Sequence, residues 1–218
     1  MTTLPEALLT RLAATRSLVA ATRRLMRAVA TTDVTPDRLA HAERTLSELT
    51  AELESSVRPG PLRTDVDRRT FLTATADAPW ESFGFNPAGI PLELWWVEGD
   101  LHGRMRVEPH HEGPAGRLHG GFSAAVMDAL LSALVAAKGH RALTGSLDTR
   151  FRRSVPVGTT VDLHARLVTV SGRKITAEGW IEYDGERCVE ARGLFIDIAG
   201  TSPATVAPTA EGEPDGHA

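Results

Sequence analysis

The sequence predicts an α+β fold over its 218 residues, and three observations carry that expectation. Apolar residues recur at helical spacing near the start and again from about Gly121 to Lys138. From Leu92 the period otherwise falls to two, as strands require. The later two-period runs are joined by short turns, which pair strands antiparallel, because a parallel crossover needs a dozen residues or more. One apolar helix followed by such strands predicts a curved antiparallel sheet wrapped around that helix.

The elements follow in order. Pro5 to Ala30 sets Leu8, Leu12, Val19, Met26 and Val29 on one stripe, with Thr15 and Thr22 at the intervening positions. Thr35-Pro36 is an N-cap and first-turn pair, and Leu39, Ala42, Leu46, Leu49 and Leu53 continue at spacings of three and four. Residues 1–57 therefore read as a helical hairpin whose narrow stripes need a partner: each other, the main domain or another subunit. Arg58-Pro59-Gly60-Pro61 ends the helix and opens a linker and aromatic-rich lead-in over 58–85, with Phe71, Trp80, Phe83 and Phe85. The main domain spans 86–198. A hairpin is expected from Leu92–Glu98 and Arg104–Glu108 around Gly99-Asp100, then the apolar helix. Four strands follow as one meander, Thr144–Val155, Val161–Val170, Ile175–Tyr183 and Cys188–Ile198, with turns at Ser171-Gly172 and Asp184-Gly185. Residues 199–218, rich in Pro, Thr, Gly and acids, read as a disordered tail.

Composition narrows the function classes. With 24 Lys plus Arg against 28 Asp plus Glu there is no cationic excess for phosphate neutralisation, which argues against nucleic acid as a partner. Cys188 is the single cysteine, so neither an internal disulfide nor a multi-thiolate metal site can form. The apolar run from Ser123 to Ala137 is short for a bilayer and carries Asp128, so no membrane association is expected. The Arg-rich first thirty residues have the composition of a presequence, but Pro5 and the helix after it favour an amphipathic helix of the mature protein. The expected location is cytoplasmic.

The chemistry concentrates in Arg117-Leu118-His119-Gly120-Gly121-Phe122, which opens the apolar helix. Two glycines there let a group approach the backbone, and the helix end offers unpaired N–H donors and partial positive charge, which polarise a carbonyl. Asp128 falls among Phe122, Ala125, Val126, Leu130 and Ala133, a stripe expected to be core, where a carboxylate is costly unless paired or used. An ordinary Asp bonded to nearby hydroxyls or amides is the plainer reading of that residue alone. A lipase-type oxyanion loop also begins His-Gly-Gly, but the Gly-x-Ser-x-Gly that must accompany it is absent. His102, His110, His111 and His119 with Glu108 and Glu112 lack the helical spacing of zinc hydrolases and read as surface histidines, so no metal and no cofactor is expected.

Four segments in order resemble the hotdog-fold thioesterases of the phenylacetate-degradation type, including the branch similar to thioesterase superfamily member 4. They are Asn86-Pro87-Ala88-Gly89-Ile90, then Glu112 through Gly121, then Asp128, and Leu147-Asp148-Thr149-Arg150-Phe151 running to Pro156 and Gly158. The resemblance covers about Asn86 to Ile198. It implies five or six antiparallel strands around a central helix, a homodimer joined edge to edge with pairing to a tetramer left open, and hydrolysis of acyl thioesters. By the same resemblance Asp128 is the general base or nucleophile, the Gly121 N–H holds the thioester carbonyl, and His119 shapes the loop or contacts that carbonyl. Thr144 orients water or the carboxylate. Some relatives carry an Asn six residues before the His; here that residue is Gly113.

Helix geometry gives the dimer separate support. Seven residues at about 1.5 Å rise separate Gly121 and Asp128 by roughly 10 Å, too far for both to serve one thioester. Two antiparallel helices across a two-fold axis would bring Gly121 of one protomer to Asp128 of the other. The expected substrate is an acyl-CoA, with an acyl-carrier-protein thioester as the alternative and a non-catalytic acyl-ligand binder or sensor as the reading from another class. Gly120 and Phe122 would line the substrate site, and Arg117, Arg150, Arg152 and Arg153 are the nearest cations for the carrier's phosphates, though alternating Arg on a strand equally well solvates its outer face. Trp95, Trp96, Phe122 and Val126 serve as acyl lining or as plain core.

Overall fold

The computed structural model describes residues 5–58, 60 and 68–199. The expected tail over 200–218 and the helix stop at Pro59 and Pro61 lie outside the described residues. In chain order the elements are α1 (Glu6–Thr31), α2 (Pro36–Glu54), α3 (Arg68–Leu72), β1 (Trp80–Glu81), β2 (Glu93–Val97) and β3 (Asp100–Arg106). A 3-10 turn (Pro109–His111) then leads to α4 (Gly120–Ala137), β4 (Ala142–Phe151), β5 (Thr160–Ser171), β6 (Lys174–Tyr183) and β7 (Glu186–Asp197).

One antiparallel sheet of seven strands runs β1-β2-β3-β5-β6-β7-β4 and wraps α4, which is the hotdog arrangement. The hydrophobic core lies between them. Met127, Leu130, Leu131 and Leu134 of α4 are wholly buried against inward residues such as Leu94, Leu163, Ile181 and Phe195. Each such side chain contributes about 2 kcal/mol on leaving water. Close approach of helix to sheet depends on Gly179, where an added Cβ would stand 2.5 Å from the His164 carbonyl oxygen and 3.2 Å from Leu131.

Two of the three hairpin turns share one form. Glu98-Gly99 (φ +51° and +92°) joins β2 to β3, and Asp184-Gly185 (φ +55° and +72°) joins β6 to β7; both have the paired left-handed residues of two-residue hairpin loops. The first begins one residue earlier than the Gly99-Asp100 turn expected from sequence.

The expected four-strand meander is corrected by the topology. Only β5, β6 and β7 form one; β4 pairs with β7 and stands at the sheet edge. The chain leaves β4 along Arg152–Thr159, where the Val155 carbonyl accepts from the Leu118 amide and the Gly116 carbonyl accepts from the Val157 amide. Those bonds divert it beneath the loop ahead of α4 instead of into a hairpin. The two-residue strand β1 and the short helix α3 escape periodicity because neither is long enough to show one.

The partner of α1 is the main domain. The Arg23 Nη2 group donates to the carbonyls of Phe83, Asn86 and Gly89 at 2.7, 2.8 and 3.0 Å, closing the Asn-Pro-Ala-Gly turn against the helix. Arg16 lies 5.0 Å over the Phe85 ring. In contrast α2 buries no side chain, and Leu39, Leu49 and Leu53 of its apolar stripe are exposed.

Candidate active site

His119 is the N-cap of α4, and its Nδ1 accepts from the Gly121 amide at 2.9 Å. This corrects the expected role of Gly121, because that N–H is already engaged within the chain. With Nδ1 accepting, the neutral ring carries its proton on Nε2, which stays available as a donor. Among the described residues the amide of Gly120, the first residue of α4, has no protein acceptor. A Cβ at Gly120 would only touch the Phe151 ring at 3.4 Å, so the glycine leaves its backbone approachable.

Gly113 explains the departure from relatives with Asn there. An added Cβ would stand 2.8–2.9 Å from Cδ2, Cα and Cβ of His119. With His119 seated as the cap, no larger residue fits at 113.

Asp128 is half-buried, not enclosed in the core stripe as expected, because the buried face of α4 runs through Val126, Met127, Leu130 and Leu131. It lies on the flank toward β4, where the Thr144 hydroxyl donates to its Oδ1 at 2.8 Å. A β-bulge makes this contact possible. The β4–β7 register pairs Thr144 with Phe195 and Ser146 with Leu194, leaving Gly145 as the extra residue. Counting inward positions back from Phe151 through Thr149 and Leu147 would otherwise reach Gly145 and turn Thr144 outward; the bulge restores Thr144 to the helix side.

Sequence therefore picked out His119, Gly120, Asp128 and Thr144, and the fold brings them to two stations along α4. Eight residues at about 1.5 Å each separate Gly120 from Asp128 by roughly 12 Å. Both stations lie beside β4, whose ten residues include none that is buried and whose outer edge is unpaired among the described residues.

The expected phosphate cations divide. Arg152 Nε is paired with Glu190 Oε2 at 2.9 Å and Arg153 Nη1 with Glu186 Oε2 at 2.6 Å, whereas Arg117 and Arg150 have no acidic partner among the described residues. Trp95 lies beside Arg104, 5.8 Å from ring centroid to guanidinium carbon, and Trp96 donates its indole N–H to the Phe71 carbonyl at 2.9 Å. Val126 is core. Of those four, Phe122 borders a cleft.

That cleft was missed by sequence reasoning. It holds about 200 Å3 between α1 and the start of α4, bordered by Arg23, Arg24, Arg27, Arg106, His110 and Phe122. His111 also borders it and corrects the reading of these histidines as a surface group, since it is 3% exposed. Its Nδ1 accepts from the Glu108 amide at 3.1 Å, and its ring packs 5.1 Å from Phe122. Burial first, then the neighbouring His110, pulls the His111 pKa down to about 4, so the ring is neutral at pH 7. The signal in the sequence is the Arg23, Arg24, Arg27 cluster on one helix.

Residues 115–189 match the model of the thioesterase superfamily. A crystal structure described as a thioesterase superfamily protein aligns over 84% of this chain and 94% of its own, with 28% identity and a TM-score of 0.69. This stretch is similar to the thioesterase superfamily. Among curated relatives, the acyl-coenzyme A thioesterase THEM4 of Bos taurus is 33% identical over 92 residues, 41% of this chain and 38% of the relative. The Mus musculus THEM4 is 28% identical over 98 residues, 44% and 42% of the two chains. The chain thus spans about two fifths of the length of these relatives.

Proposed function

We propose that the protein hydrolyses acyl thioesters, with coenzyme A as the thiol, and works as a homodimer joined along β4. The Thr144–Asp128 hydrogen bond, held in place by a bulge beside an unengaged helix-end amide, is the observation that carries this reading. A thiolate leaves readily, so the reaction needs a nucleophile and stabilisation of charge on the carbonyl oxygen. The Gly120 amide, the His119 Nε2–H and the positive end of α4 supply that stabilisation. Asp128 acts as general base on a water or attacks the carbonyl itself, and Thr144 holds the carboxylate by one oxygen so that the other faces the reacting carbon.

The separation of the two stations supports assembly of each site from two protomers. The open edge of β4 and the small, exposed Gly121 and Ala125 of α4 leave room for an antiparallel second copy to bring its Asp128 opposite Gly120. Arg117 and Arg150, without an acidic partner among the described residues, are the cations for the phosphates of coenzyme A. The names of the THEM4 relatives favour coenzyme A over a carrier protein.

Thiol release from short, long and aromatic acyl-CoA esters tests the reading, with Asp128→Asn as the control. Wild-type protein is expected to turn over at least one class, and Asp128→Asn to lose about a hundredfold or more in kcat while remaining folded. A fully active Asp128→Asn variant, or full activity from a strictly monomeric protein, contradicts it.

A further inference from the structure

The structure assigns the cleft roofed by α1 to the acyl group of the thioester, and assigns that group a terminal carboxylate: the substrate class is a short dicarboxylic acid esterified at one end to the thiol. This inference rests on the hydrolase reading above.

The charge of the cleft is the first argument. Four guanidinium groups, those of Arg23, Arg24, Arg27 and Arg106, border it against the single carboxylate of Glu108. Glu108 Oε1 is shared between Arg27 at 3.2 Å and Arg106 at 3.7 Å, Arg23 Nη1 lies 3.7 Å from Glu81 Oε1 outside the cleft, and Arg24 has no acidic partner among the described residues, so four cations meet two carboxylates. The excess of cations calls for an anion.

Unsatisfied polar groups are the second. Three buried side-chain nitrogens among the described residues lack a hydrogen-bond partner, and two of them, Arg23 Nε and His110 Nδ1, belong to this cleft. Buried polar atoms are ordinarily paired, so two orphans on one small cleft point to oxygen atoms supplied by a ligand.

Position and size are the third. Phe122, two residues beyond the Gly120 amide, borders the cleft, so an acyl group whose carbonyl rests on the start of α4 can run its chain inward past that ring. The cleft is small, about 200 Å3, which favours a short chain such as the three methylenes and carboxylate of a glutaryl tail.

The test uses the full chain with glutarate and pentanoate as free acids and glutaryl-CoA and pentanoyl-CoA as esters. Calorimetric titration is expected to show glutarate binding at least tenfold tighter than pentanoate, and kcat/KM to favour the glutaryl ester by a similar factor. Arg24→Gln and Arg106→Gln, each at a surface position that spares the core, should narrow both ratios severalfold or more. Equal binding of the two acids, or ratios unmoved in both variants, overturns the inference. So does displacement of glutarate by free coenzyme A, which would give the cleft to the carrier's phosphates. Tight glutarate binding weakened by the variants, with neither ester nor any other acyl-CoA hydrolysed, would sink the hydrolase reading and leave the carboxylate cleft standing. Hydrolysis of pentanoyl-CoA with no preference for glutarate would do the reverse.

Discussion

Thr144→Val keeps the shape of the side chain and removes the hydroxyl that donates to Asp128 Oδ1 at 2.8 Å. A hydrogen bond to a charged acceptor is worth about 1.5–3 kcal/mol, and the solvent-facing setting of this pair selects the lower end. About 1.5 kcal/mol off transition-state stabilisation is roughly tenfold in rate. The loss should fall on kcat, with KM nearly unchanged, because Thr144 touches the carboxylate and not the thioester in this arrangement. The assay is a double-mutant cycle on acyl-CoA hydrolysis. If Thr144 acts only by orienting Asp128, then Thr144→Val costs about tenfold in the wild-type background and close to nothing in Asp128→Asn, a coupling of about 1.5 kcal/mol. Equal losses in both backgrounds would refute the positioning role, as would a wild-type kcat for Thr144→Val with the thermal transition unchanged.

Two further outcomes concern stability. The folded His111 pKa near 4 lies below the unfolded value of 6.5, so between those values the unfolded chain binds a proton that the folded one does not. The full contribution is present above about pH 6.5 and is lost as pH falls toward 4; it amounts to about 2 kcal/mol after solvent screening of this loop, and denaturant titrations of wild type and His111→Gln between pH 7 and 4 should converge by that amount, whereas parallel profiles would remove His111 as the cause. Arg23→Ala deletes three hydrogen bonds to carbonyls and should cost about 2 kcal/mol, seen as a fall in Tm of roughly 4–8 °C; an unshifted transition would mean that α1 is held by something else.

The long elements were legible because their apolar residues repeat with a clear period. The alternation of Ile175, Ala177, Gly179 and Ile181 is buried on one face as expected, and the α4 helix spans within a residue of its predicted ends. The placement of β4 was not legible, because strand order depends on long-range pairing and the diverting bonds are between backbone groups of Gly116, Leu118, Val155 and Val157. Thr144 faces α4 only through the Gly145 bulge, and simple alternation gives it the wrong side. That the Gly121 amide is engaged by His119 was hidden for a similar reason: a His cap is a three-dimensional choice of rotamer, and sequence shows only that a His precedes two glycines. The cleft stayed hidden because its walls come from α1, the Asn86–Gly89 turn and the 3-10 turn, which Arg23 and the Arg27–Glu108 pair bring together.

A nineteen-residue helix with no buried side chain has little besides its own backbone bonds and side-chain propensities to hold it, and isolated helices of that length are marginal in water. For α2, being helical and being covered are therefore one linked equilibrium. Any surface that comes to rest on Leu39, Leu49 and Leu53 must spend part of its binding energy on ordering the helix, so its affinity will be lower than the buried area suggests. That makes α2 suited to contacts that form and release, and poorly suited to a permanent seam.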